Sequence, residues 1–279
     1  SNAKSKAKVL PPVEYPEVGI YHPRMKSRLS DQLTDLPTVV SADKARGRVG
    51  LILLRSYLIA GNAQHYDAVI AAMEVQGLNV VPVFASGLDS RPAIDAFFLK
   101  DGQTTVDAVV SLTGFSLVGG PAYSDAAAAR DVLGKLDLPY IAAHAIEFQT
   151  IEDWAHRPQG LLPLESTMMV ALPELDGSTV PHVFGGRAGN SGPCCNGCDR
   201  QCPRPASDKA KPMQACPDRA EALAAKAEAL ALSIPRNETP EQANLRATIA
   251  SLEALNDPDL ADAIAAKRHR LSQLHSSPV

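Results

Sequence analysis

Four apolar runs, each separated from the next by a segment with helical periodicity, constrain this chain more than any other feature. Arg48–Leu54 (RVGLILL) is continuously apolar, the pattern of a strand buried on both faces. Asn62 is placed to cap the following helix, AQHYDAVIAAMEVQG, which Gly77 ends. A second strand is expected at Leu78–Phe84, a helix near Arg91–Leu99, and a third strand at Val106–Leu112. A helix over Ser124–Leu136 leads to a fourth strand, Pro139–Ala143. Strands that alternate with helices pair in parallel, because each crossover returns the chain to the same end of the sheet. The expected fold class is therefore α/β: a doubly wound, mostly parallel sheet of flavodoxin-like type spanning 47–190.

The flanks read differently. Residues 1–46 are broken by Pro11, Pro12, Pro16, Pro23 and Pro37 and are expected to form an extended arm with a short helix near Lys26–Leu33. Ser1-Asn2-Ala3 has the look of a cloning scar, and so abrupt a start suggests a piece of something larger. Beyond Pro163 a short helix should close at Pro173, and VPHVF at 180–184 is a further strand candidate. Residues 191–217 form a cysteine-rich segment, and 218–279 a helical tail that reads as a solvated hairpin rather than a partner-binding arm. A formal charge of −4 argues against a nucleic-acid partner. The absence of a long apolar run or leader argues for a cytoplasmic protein with no transmembrane segment.

All five cysteines lie in one stretch, CCNGCDRQCPRPASDKAKPMQACP, at 194–217. The spacing is Cys195-x2-Cys198-x3-Cys202-x13-Cys216, with Cys194 extra. In a reducing compartment disulfides are disfavoured, and four thiolates suit a tetrahedral zinc or an iron–sulfur cluster. Gly197 permits the turn that lets Cys195 and Cys198 share one ion, and Pro203 after Cys202 tilts the choice from zinc to a [4Fe–4S] cluster.

In an open parallel sheet, ligands bind beyond the carboxyl ends of the strands. Those ends carry Arg55, Ser56, Tyr57, Gly61 and Asn62, then Ser86 and Gly87, then Thr113, Gly114, Gly119 and Gly120, and finally His144. Among seven scattered histidines, His144 is the one that ends a strand on this edge. The loop GFSLVGGPA (114–122) lacks the Lys-Ser/Thr pair of a P-loop and the G-x-G-x-x-G spacing, so no ATP site is expected in this chain. No G-x-S-x-G elbow is present. Glu165, Met169 and Leu172 share a helical stripe, so Glu165 can face an apolar pocket, where its pKa would rise as suits a proton acceptor. An exposed first-turn glutamate is the plainer alternative. Glu174 and Asp176, in a turn with Gly177, are candidate cation ligands or ordinary turn residues.

Several strings resemble a known family. YPEVGIYHPRM (15–25), LLRSYLIAGNAQHYDAVI (53–70), FQTIEDW (148–154), MMVALPELDG (168–177) and VFGGR (183–187) resemble the large, porphyrin-binding, H-type component of magnesium chelatase. The cobaltochelatase large subunit shares the broad pattern. The cysteine segment through ACPDRAEAL (215–223) is similar to the bacteriochlorophyll-making members. The likeness covers about 12–232 and implies a fragment of the large subunit, or a diverged, shortened relative of it. It further implies protoporphyrin IX and Mg2+ as substrates, with ATP bound by two smaller ATPase-type partner subunits. Glu165, Glu174, Asp176 and His144 are the residue types that metal exchange and proton removal need. The competing expectation is a non-catalytic redox-sensing or interaction module of the same family, stapled by metal.

Overall fold

The computed structural model describes residues 14–41, 44–120, 122–178, 181–187 and 213–233, with short helical pieces at 248–249, 264–267 and 269. Its strands are β1 (Val18–Tyr21), β2 (Leu29–Ser30), β3 (Gly47–Leu54), β4 (Leu78–Ala85), β5 (Leu99–Lys100), β6 (Gln103–Thr104), β7 (Ala108–Ser111), β8 (Gly119–Gly120), β9 (Tyr123–Ser124), β10 (Tyr140–Thr150), β11 (His182–Arg187) and β12 (Met213–Ala215). The α-helices are α1 (Arg55–Ile59), α2 (Gln64–Val75), α3 (Arg91–Phe97), α4 (Ala126–Leu136), α5 (Ile151–His156), α6 (Pro163–Ser166), α7 (Leu172–Asp176) and α8 (Pro217–Ser233).

Eight strands form one sheet in the order β12-β11-β10-β7-β3-β4-β1-β2. The inner five, β4-β3-β7-β10-β11, are parallel throughout. In chain order they run second, first, third, fourth, fifth, the flavodoxin-like arrangement with its switch point between β3 and β7. Antiparallel strands close both sides: β1 pairs with β4 and β2 with β1, while β12 pairs with β11.

The central strand explains the unbroken apolar run. Val49, Leu51 and Leu53 project into a core layer under α2 and α8, whereas Ile52 enters the opposite layer under α3 and α4. Gly50 is small for a packing reason: a Cβ there would lie 2.4 Å from Phe98 Cζ. Asp125 caps α4 by accepting from the Ala128 N–H at 2.9 Å. α2 starts with Ala63 rather than Asn62 at its cap.

Three expectations need correction. Residues 26–32 form no helix, and only a single 3-10 turn follows at Leu33–Asp35. VGIY instead adds β1 to the open side of β4, and the chain folds back into β2. Tyr21 and Arg28 hold this hairpin to Asp67 on α2, and His22 with Arg24 holds it to Glu74. Pro173 does not end its helix. Proline has no N–H to donate back along the helix, and one π turn at Thr167–Ala171 precedes it before α7 continues to Gly177, whose φ is +106°. The first helix of the 218–279 tail is not solvated. α8 lies on the sheet with Ala220, Leu223, Ala224 and Ala227 buried. Most of 191–217, and nearly all of the chain beyond 233, lie outside the described residues.

Candidate active site

β10 runs beyond its partnership with β7. The pair ends at Ala142–Ser111, and residues 143–150 continue beside β11 alone, through two register shifts. His144 thus lies two residues past the last β7 rung, inside a strand and not at its end. It is 1% exposed, and neither ring nitrogen has a hydrogen-bond partner. Burial, with a smaller contribution from His182, lowers its pKa to about 4, so the ring is neutral near pH 7.

At the far end of β10, Gln149 reaches Glu165. Pro163 opens α6, and Glu165, 0% exposed in the first turn, turns its carboxylate back toward the chain entering the helix. Its Oε2 accepts from the Leu162 N–H at 2.9 Å and from Gln149 Nε2 at 2.5 Å. Gln149 Oε1 accepts in turn from Arg157 Nε at 3.2 Å. Glu165 Oε1 is buried with no partner. Met169 is also buried, while Leu172 is only half-buried, because the π turn shifts the stripe after Met169.

The turn residues separate. Glu174 is exposed. Asp176 is buried, with its oxygens accepting from Ser116 Oγ at 3.0 Å and the Leu117 N–H at 2.7 Å. Burial raises its pKa. Asp176 therefore fastens α7 to the loop that follows β7. Among the described residues, no group of three or more His, Cys, Asp and Glu side chains is placed to hold a metal ion. Cys195, Cys198 and Cys202, like Cys194, lie outside the described residues. Cys216 is buried where β12 meets α8, and its N–H donates to Phe184 O at 3.0 Å.

One cluster is hidden from sequence reasoning. Tyr57 on α1 donates its hydroxyl to Glu147 Oε1 on β10 at 2.5 Å. Behind Tyr57, His65 is packed edge-on at 5.1 Å, against Tyr66 at 3.9 Å and parallel to Phe184 at 6.0 Å. The signal available is Tyr57 just after β3 and His65 at the start of the helix that follows, but nothing marks Glu147 and Phe184 as their neighbours. The segments leaving β3, β4 and β7 each expose a large apolar side chain, Ile59, Leu88 and Tyr123, and the far half of β10 itself exposes Phe148. Exposed apolar groups gathered on one end of a sheet mark a binding surface. Among the described residues, no helix is long and apolar enough to cross a membrane.

A family model described as CobN/Magnesium Chelatase matches residues 1–235. The chain is 53% identical over 222 residues to the H-type magnesium-chelatase protein of Cereibacter sphaeroides, covering 79% of this chain and 18% of that relative. It is 41% identical over 191 residues to the chloroplastic magnesium-chelatase protein ChlH of Oryza sativa subsp. indica, covering 65% and 14%. The catalytic subunit of cobaltochelatase from Mycobacterium tuberculosis has the same fold, with a TM-score of 0.53 at 21% identity, over 85% of this chain and 16% of that one. The chain thus spans less than a fifth of the length of these proteins. On the matched family model, the chain belongs to the CobN/magnesium chelatase family.

Proposed function

We propose that this chain is part of the large subunit of an ATP-dependent magnesium chelatase. In this reading it contributes to holding protoporphyrin IX and placing Mg2+ within it, in (bacterio)chlorophyll synthesis. Identity to H-type magnesium-chelatase proteins supports the metal and the class of substrate. The family resemblance assigns ATP to two smaller partner subunits, and the loop at 114–122 here carries no P-loop signature.

The chemistry has two demands. Mg2+ gives up its water reluctantly, so oxygen ligands must replace that water as the ion leaves it. Two pyrrole N–H protons must also depart, since Mg2+ enters as they leave. The observation that carries the reading is Glu165 Oε1, a buried carboxylate oxygen with no partner at the end of β10. Its sister oxygen is fixed by Gln149 and Leu162, so Oε1 is held ready to take a proton. Neutral His144 is a second acceptor, exposed Glu174 is the cation-facing carboxylate, and Asp176 keeps the adjoining loop in place. The apolar side chains at the strand ends suit a flat macrocycle.

Glu165→Gln in the complete enzyme is the test. Loss of a general base lowers turnover by about 10²-fold or more, with porphyrin affinity unchanged. Wild-type turnover would remove Glu165 from the site.

A further inference from the structure

His65 is a buried polar side chain that neither the fold nor the proposed chemistry uses. It lies in the first turn of α2, 0% exposed, with both ring nitrogens unpartnered. A buried polar group left so costs about 1–3 kcal/mol. A phenylalanine would fill the same aromatic box without that cost. Two walls of the box are fixed: Phe184 belongs to the sheet and Tyr66 to α2. The third, Tyr57, rides on α1, a five-residue helix followed by Gly61 with φ +69°. What holds Tyr57 over His65 on the β10 side is its hydrogen bond to Glu147. Tyr57 and Glu147 are both half-buried, so this catch borders the carboxyl end of the sheet.

We propose that His65 is a tetrapyrrole contact covered by Tyr57: release of the Tyr57–Glu147 catch lets α1 move and presents the imidazole to the centre of a metal-free macrocycle. This rests on the functional reading above. The match is chemical. A neutral imidazole has one N–H and one bare nitrogen. The metal-free core likewise offers pyrrole N–H donors and imine-type nitrogen acceptors. Burial keeps the ring in that neutral form, with its pKa lowered to about 3. Closing the cover when no macrocycle is present keeps the imidazole from water, and opening it gives the ring nitrogen that faces the macrocycle a partner and returns the other to solvent.

The test uses the 279-residue chain with 15N-labelled histidine, titrated with protoporphyrin IX while the single tryptophan, Trp154, reports binding by fluorescence. The His65 ring signals, assigned through bonds to the backbone, move as the titration saturates. Tyr57→Phe keeps the aromatic wall but removes the catch. It raises the competent fraction and tightens apparent binding several-fold. His65→Asn weakens binding about tenfold. Saturable binding with unmoved His65 signals overturns the contact, and wild-type affinity in Tyr57→Phe overturns the cover, in both cases leaving the functional reading standing. No binding by the wild-type chain or by Tyr57→Phe overturns both.

Discussion

His65 and His144 each lose their hydration on folding and gain no hydrogen bond in exchange. Burial consequently lowers them from the ordinary 6.5 to about 3 and about 4. Below pH 6.5 the unfolded chain binds protons at these two sites that the folded chain refuses. Their contribution to stability is therefore intact above pH 6.5 and drains away as the pH falls, down to about 4 for His144 and about 3 for His65. The slope is about 1.4 kcal/mol per pH unit for each ring. Urea melts at pH 7.5, 6 and 5 should show a midpoint that falls with acid, and His65→Phe should remove about half of that slope. An unchanged slope would mean that His65 is protonated in the fold. At this scale the sequence is partly legible. Pro163 and the Glu165–Met169 spacing mark a helix start with an inward carboxylate. Its partner Gln149 is invisible there, because a strand residue in one segment and a helix turn in another meet only through the fold.

At the scale of elements, apolar runs decide what can be read. β3 is recognisable because both its faces are buried. The apolar pattern of β10 reaches only Ala143, whereas the strand extends to Thr150. Its later residues include His144, Glu147 and Gln149, polar groups that break an apolar pattern yet still make a strand beside β11. β1 escapes detection because four residues between prolines carry little periodicity, and its partners, β4 on one side and β2 on the other, appear only in the fold. α8 looks solvated for a related reason: its buried stripe is mostly alanine, which weighs little on a hydropathy pattern but fits closely against α2 and the sheet. Two substitutions test these packings. Leu223→Ala, at a 0% exposed position, should cost about 2–5 kcal/mol in chemical denaturation; a solvated tail would lose less than about 0.5 kcal/mol. Gly50→Ala drives a methyl into the Phe98 ring and should cost about 1–3 kcal/mol. A silent Gly50→Ala would contradict the close contact between β3 and the α3 layer.

At the scale of the whole molecule, the carboxyl side of a flavodoxin-like sheet carries exposed apolar side chains and buried acid–base groups, Glu165 and His144 among them, and a tetrapyrrole is the substrate class proposed for it. The cysteine segment adjoins the fold through Cys216, buried at the start of α8. We propose that Cys195, Cys198, Cys202 and Cys216 hold an iron–sulfur cluster, with zinc as the alternative. Anaerobic purification followed by metal and sulfide analysis should find iron and acid-labile sulfide with brown absorption; zinc alone would replace the cluster with a structural ion, and neither would remove metal binding. The claim on which all of this depends is that the chain itself meets a tetrapyrrole. Equilibrium titration of the purified chain with protoporphyrin IX, followed through Trp154 quenching, tests it most directly. The account predicts saturable quenching at one site with a midpoint on the order of 1 μM, about 8 kcal/mol of binding free energy. Quenching that rises linearly without saturation, or none at all, would contradict it.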